Sequence, residues 1–164
     1  MPVLQFQPMI DVQPLTCIGK LSRDEIISRL REGILTARSD VLGIVVFGSF
    51  ARGAEWRDVD VLVVLEQLVA THQDRTNVAL ALHKATTIPE TQVVLYSLAG
   101  FERGLRNHTP FLLDVATDGV VVEDRANVTA DLAVARQYIR EKGIRRTRPG
   151  GWRFPVKYRQ RTIL

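Results

Sequence analysis

The sequence predicts an α+β domain of α/β type, with a short mixed sheet and helices packed on it. Three observations carry this. Two β-branched apolar runs, Val41 to Phe47 and Val59 to Leu65, have the length and composition of buried strands. Apolar residues at helical spacing flank them: Ile26, Leu30, Ile34 and Ala37 before the first run, and Val78, Ala81, Leu82 and Ala85 after the second. A third strand-like run, Thr91 to Ser97, continues the alternation of strand and helix that builds a layered domain.

The elements follow in order. Residues 1–20 form an extension with weak alternation, an edge strand or a docked arm; Pro2, Pro8 and Pro14 argue against helix. Ser22 and Glu25 form a capping box, and the helix they open runs to about Arg38. The first strand stops at Gly48-Ser49. Trp56 lies in the loop before the second strand, as a platform for a base or a ring folded onto apolar surface. His72 to Thr86 reads as a helix, and neither His72 nor His83 has partners at metal-ligand spacing. After the third strand, Ser97 caps a short helix to Leu105. Thr109 and Pro110 start another that ends at Gly119. Gly119 to Asp124 is a fourth strand, and Thr129 is the expected cap of a last helix, Ala130 to Lys142, closed by Gly143. The expected division is an extension at 1–20, a main domain at 21–125, and a C-terminal helix and basic aromatic tail at 126–164.

The 164 residues suffice for one core that buries about 70% of the unfolded surface. The single cysteine, Cys17, excludes an internal disulfide and fits a reducing, cytoplasmic setting. No apolar run is long enough to span a membrane, so no membrane partner is expected. Charge is uneven: residues 140–164 hold nine basic residues and one acidic residue, while 1–139 hold 13 basic and 17 acidic. In the tail, residues 144–164, arginines and lysines interleave with Trp152, Phe154 and Tyr158. That pattern suits single-stranded nucleic acid, and equally an arm docked on protein or an acidic partner.

The chemistry concentrates between residues 44 and 65. Asp58 and Asp60 are two apart, so on a strand they share a face, about 7 Å apart at the backbone. Two convergent carboxylates offer the hard oxygen ligands that Mg²⁺ takes together with substrate phosphates. Gly48 lets backbone approach a ligand closely. Ser49 and the N–H groups after it can cradle a phosphate if a helical turn starts there. Arg52 adds a fixed positive charge suited to phosphate oxygens.

Gly48-Ser49-Phe50-Ala51-Arg52-Gly53 followed by Asp58-Val59-Asp60 resembles the signature of the DNA polymerase β-like nucleotidyltransferases, and within them the minimal nucleotidyltransferase (MNT) proteins. The spacer Ala54 to Arg57 is shorter than usual, and Arg57 stands where a Ser commonly precedes the first Asp. The resemblance covers roughly residues 25–125. It implies the polymerase β-like nucleotidyltransferase fold and transfer of a nucleoside monophosphate from an NTP, ATP first among them, to a hydroxyl of protein, RNA or a small molecule. Two Mg²⁺ ions would be held by Asp58 and Asp60. Some such proteins are antitoxins that AMPylate a HEPN-domain RNase toxin, which carries an Arg-x₄-His motif; this chain is expected to carry no such motif of its own, so such a partner would be a separate chain. Family members usually carry a third carboxylate at the start of the strand beside the Asp pair. In this sequence that position falls on Gln92, whose amide is no base near neutral pH. Glu90, two residues earlier, is the alternative carboxylate. Gln92 therefore keeps a second reading open: a module that has lost catalysis and binds nucleotide, nucleic acid or a protein partner.

Overall fold

The structure, a computed structural model, describes residues 21–147 and 150–155. The expected extension at 1–20, with Cys17, and tail residues 156–164, with Tyr158, lie outside the described residues. The elements are α1 (Arg23–Ala37), β1 (Val41–Phe47), α2 (Gly48–Ala51), β2 (Val59–Leu65), α3 (His72–Ala85), β3 (Thr91–Ser97), α4 (Leu98–Arg106), α5 (Pro110–Asp118), β4 (Val120–Asp124), α6 (Val128–Glu141), β5 (Arg145–Arg146) and β6 (Trp152–Arg153). Among the described residues no helix is long and apolar enough to cross a membrane.

Local chemistry sets the helix starts. The capping box is present: the Glu25 N–H donates to Ser22 Oγ at 3.2 Å, and the Ser22 N–H donates to the Glu25 carboxylate at 2.7 Å. Ser97 Oγ accepts from the Gly100 N–H at 3.1 Å and starts α4. Thr109 is the N-cap residue of α5 with Pro110 at its start, as expected, but its hydroxyl donates to the Gly104 carbonyl at 3.0 Å and makes no capping bond. One expected cap is corrected. Thr129 does not cap α6. The Asp124 carboxylate at the end of β4 accepts from the N–H groups of Val128 (2.9 Å) and Thr129 (3.0 Å). A charged acceptor already delivered by the preceding strand satisfies these donors better than a hydroxyl. The helix consequently begins at Val128, behind Asn127 in the left-handed region (φ 61°).

The sheet is mixed, in the order β3-β2-β1-β4. β1 runs antiparallel to β2 and β4, while β2 and β3 are parallel. Both faces of β2 are covered, which is why it reads as an unbroken apolar run. Val59, Val61, Val63 and Leu65 pack with Ile26, Leu30 and Ile34 of α1 and Leu82 of α3. Leu62 and Val64 face the other way, against Phe101, Leu112, Val115 and Leu132 of α4, α5 and α6. Period-two alternation puts Asp60 in phase with Leu62 and Val64, at the end of β2 where the helices stop covering that face.

Candidate active site

β2 begins at Val59, so Asp58 stands just before the strand and Asp60 at its second residue. Both line a cavity of about 370 Å³ with Ser49, Glu55, Trp56 and Arg57. The opposite wall is α2, one helical turn that follows directly from β1. Gly48 starts it with φ +73°, a left-handed conformation that side chains rarely adopt. A Cβ placed on Gly48 would collide with the Asp60 carboxylate. The turn and the acidic residue are therefore in direct contact. Phe47 pairs with Asp60 across the β1–β2 ladder, which fixes the same juxtaposition through the backbone.

Two carboxylates at one site repel, and burial adds to this. Burial is the larger cause that pushes the Asp60 pKa up, the Asp58 charge adds to it, and the Arg52 charge opposes both. Hard oxygen donors under mutual repulsion are a donor set that suits a small divalent cation, which needs few protein ligands and leaves positions for phosphate and water. Among the described residues no group of three His, Cys, Asp or Glu is arranged to hold a metal ion. The fit thus rests on the pair.

The β2–β3 register places the two contenders for a third position. Asp60 pairs with Gln92, so this neutral amide is its immediate neighbour on the strand. The Val59 N–H donates to the Glu90 carbonyl at 2.8 Å, which extends the pairing one step and sets Glu90 beside Asp58 along the backbone. Glu90 Oε2 is buried without a hydrogen-bond partner. The carboxylate neither lines the cavity nor joins the pair into a group of three.

Arg52 makes a contact that its sequence position does not disclose. Its guanidinium donates to Asp118 at the end of α5, at 2.8 Å. The Asp118 side chain is only 11% exposed, and it accepts from Arg146 of β5 as well, at 2.9 Å; Arg146 also holds Asp114 at 2.6 Å. The Arg146 guanidinium lies over the Trp152 ring, 5.4 Å from its centre. Two members of the tail's basic and aromatic pattern thus meet the protein's own surface, while Phe154 is 42% exposed. Trp56 folds back, edge-on to Phe50 at 5.0 Å, and still lines the cavity.

Arg23 grips the turn α2 from α1; its place in the sequence, at a helix start, gave no signal of this. The expectation that the chain has no Arg-x₄-His motif of its own is corrected: Arg103 and His108 have that spacing. His108 stacks on Tyr138 of α6 at 3.9 Å, in a cavity distinct from the carboxylates.

A mixed sheet with paired carboxylates at the start of one strand, set against a Gly-Ser turn at the end of its neighbour, is the arrangement that the resemblance to the polymerase β-like nucleotidyltransferases implies. Residues 32–109 match the family described as Polymerase beta, Nucleotidyltransferase. No curated protein matches the chain. Among solved structures, the complex of a tri-AMPylated Shewanella oneidensis HEPN toxin with MNT antitoxin has a chain that is similar at 16% identity. The match covers 74% of this chain and 93% of that one, with a TM-score of 0.44. A toxin–antitoxin structure with AMP-PNP is similar at 21% identity, covering 75% and 94%, with a TM-score of 0.42.

Two outcomes follow from the geometry. Gly48→Ala forces a Cβ into Asp60 and a strained φ, and is expected to cost about 2 kcal/mol in urea denaturation. For Asp60, the folded chain keeps a proton that the unfolded chain has already lost. The group's contribution to stability is therefore greatest at acid pH and falls as pH rises through the folded-state value. Asp60→Asn is expected to raise the metal-free Tm at pH 7 by about 2 °C and to leave it unchanged at pH 3, as read by thermal scans at both pH values.

Proposed function

We propose that the domain transfers a nucleoside monophosphate from an NTP to a hydroxyl acceptor. The observation that carries this reading is the contact between the Gly48 turn and Asp60, which sets a serine and two carboxylates around one cavity. Asp58 and Asp60 are the residues that would hold Mg²⁺. When bound, the metal neutralises charge on the phosphates and on the leaving pyrophosphate. Ser49 offers a hydroxyl to the triphosphate, and Gly48 leaves its backbone free to approach. Arg52, exposed on its own side, exchanges its bond with Asp118 for a phosphate oxygen; Arg146 then remains to compensate Asp118.

In the transfer, the acceptor oxygen forms a bond to the α-phosphorus, the α–β bridging bond breaks, and pyrophosphate leaves. The acceptor proton goes to a carboxylate of the pair or to solvent. Gln92, an amide, takes no proton, and Glu90 is assigned the outer role of raising negative charge beside Asp58. Catalysis then comes from positioning and charge stabilisation. ATP is the nucleotide to assay first and a HEPN-type protein the first partner, since the similar structures contain AMP-PNP and a HEPN toxin. Nucleic acid is the alternative partner, through the basic and aromatic residues of 144–164.

A second reading is favoured by one observation, Gln92 beside Asp60. In it the site binds nucleotide and does not turn it over. The two readings separate in an assay with radiolabelled ATP, CTP, GTP and UTP and Mg²⁺, offering the protein itself, tRNA and neighbouring gene products as acceptors. Transfer by the parent, lowered at least about 100-fold in Asp58→Ala/Asp60→Ala, is the expected result. Mg²⁺-dependent binding without transfer to any acceptor favours the second reading. No nucleotide binding at all refutes transfer and nucleotide binding alike and leaves a module that binds nucleic acid or a protein partner.

A further inference from the structure

Arg23 occupies the first position of α1. A positive charge there opposes the helix field, which the next two residues, Asp24 and Glu25, complement. Its interactions lie elsewhere. Nη1 donates to the Phe50 carbonyl at 2.8 Å, and Nη2 donates to the Ala51 carbonyl at 2.9 Å. The guanidinium carbon sits 5.0 Å from the centre of the Phe50 ring. These carbonyls belong to the last two residues of α2. The planar fork of an arginine reaches two acceptors at once, where a lysine ammonium has no matching geometry.

This contact has mechanical consequences. A single helical turn does not hold itself together in water, because nucleation costs more than one turn returns. α2 is four residues long and takes its order from what touches it. One anchor is Phe50, 2% exposed and packed edge-on against Trp56. Arg23 is the other, and it is rooted in α1, whose Ile26, Leu30 and Ile34 are 1% exposed or less. Ser49 lies on this turn, and Arg52 follows directly from it.

We propose that Arg23 is a positioning residue: it clamps the turn 48–53, and through it Ser49 and Arg52, in register with Asp58 and Asp60. It touches neither carboxylate nor the cavity, so it acts only through the turn. Its effect on nucleotide rests on the function proposed above; its hold on the turn does not.

The test uses Arg23→Ala, Arg23→Lys and, as a control on an exposed arginine of the same helix, Arg29→Ala. Amide hydrogen exchange on the nucleotide-free chain reads the clamp. Arg23→Ala is expected to speed exchange at residues 49–54 about tenfold while the amides of β1 and β2 keep their protection. Arg23→Lys, which keeps charge and stem, is expected to fall between. With MgATP, Arg23→Ala is expected to raise KM, or Kd where no turnover occurs, about tenfold, with kcat within about threefold of the parent. Arg29→Ala is expected to match the parent throughout. Parent-like exchange at 49–54 in Arg23→Ala overturns the inference. So does accelerated exchange spread evenly over β1 and β2, which marks a merely structural residue. If Arg23→Ala does not fold, Arg23→Lys is read in the same way. Failure of the parent to bind MgATP instead counts against the proposed function, and the exchange result still decides the clamp.

Discussion

The contact between Gly48 and the Asp60 carboxylate is the constraint on which the site depends. There is no space for a Cβ between them, and the backbone at Gly48 is left-handed. β1 must therefore end at Phe47, and the chain must turn into α2 at that point. The same contact puts the turn on the face of β2 that carries Asp60. That face is apolar further along, where Leu62 and Val64 meet the helices, and polar only at its end. The cavity is the place where core packing stops and two carboxylates begin.

Electrostatics follows from this placement. Holding Asp60 at a partly buried position beside Asp58 leaves an excess of negative charge. Arg52, whose charge opposes this, is shared with Asp118, which Arg146 also holds. Arg57 lines the cavity together with the acidic pair, and the arginine network around Asp118 is balanced. A cation with an anionic nucleotide complements the pair, and release of Arg52 from a carboxylate that keeps a second partner costs less than release from an isolated one. Arg146 also joins the C-terminal strand pair to the side of the domain that carries the site.

What the sequence disclosed was local. β-branched runs gave β1, β2 and β3 with their ends; β1 and β2, central in the sheet and buried, leave the continuous apolar signal, and β3, a partly buried edge strand, still reads as a β-rich run. Strand periodicity led to Asp58 and Asp60 being read together, and both line one cavity although Asp58 precedes the strand; the capping box of α1 came from a spacing of three. What stayed hidden depends on long-range register. Pairing of Gln92 with Asp60 follows from a parallel ladder that no local pattern encodes. The bonds from Asp118 to Arg52 and Arg146 span 66 and 28 residues. Arg23 looks like a solvated helix-start residue until the turn it grips is in place. Arg146 and Trp152 read as a nucleic-acid pattern because the carboxylates that take up Arg146 lie far away in sequence.

Asp58 and Asp60 together are proposed as a divalent-cation and nucleotide site. Mn²⁺ titration followed by electron paramagnetic resonance, with and without ATP, tests this. The expected result is saturable Mn²⁺ binding by the parent chain that tightens when ATP is present, and loss of that binding in both Asp58→Asn and Asp60→Asn. Equal Mn²⁺ and ATP binding by the parent and both variants would contradict it.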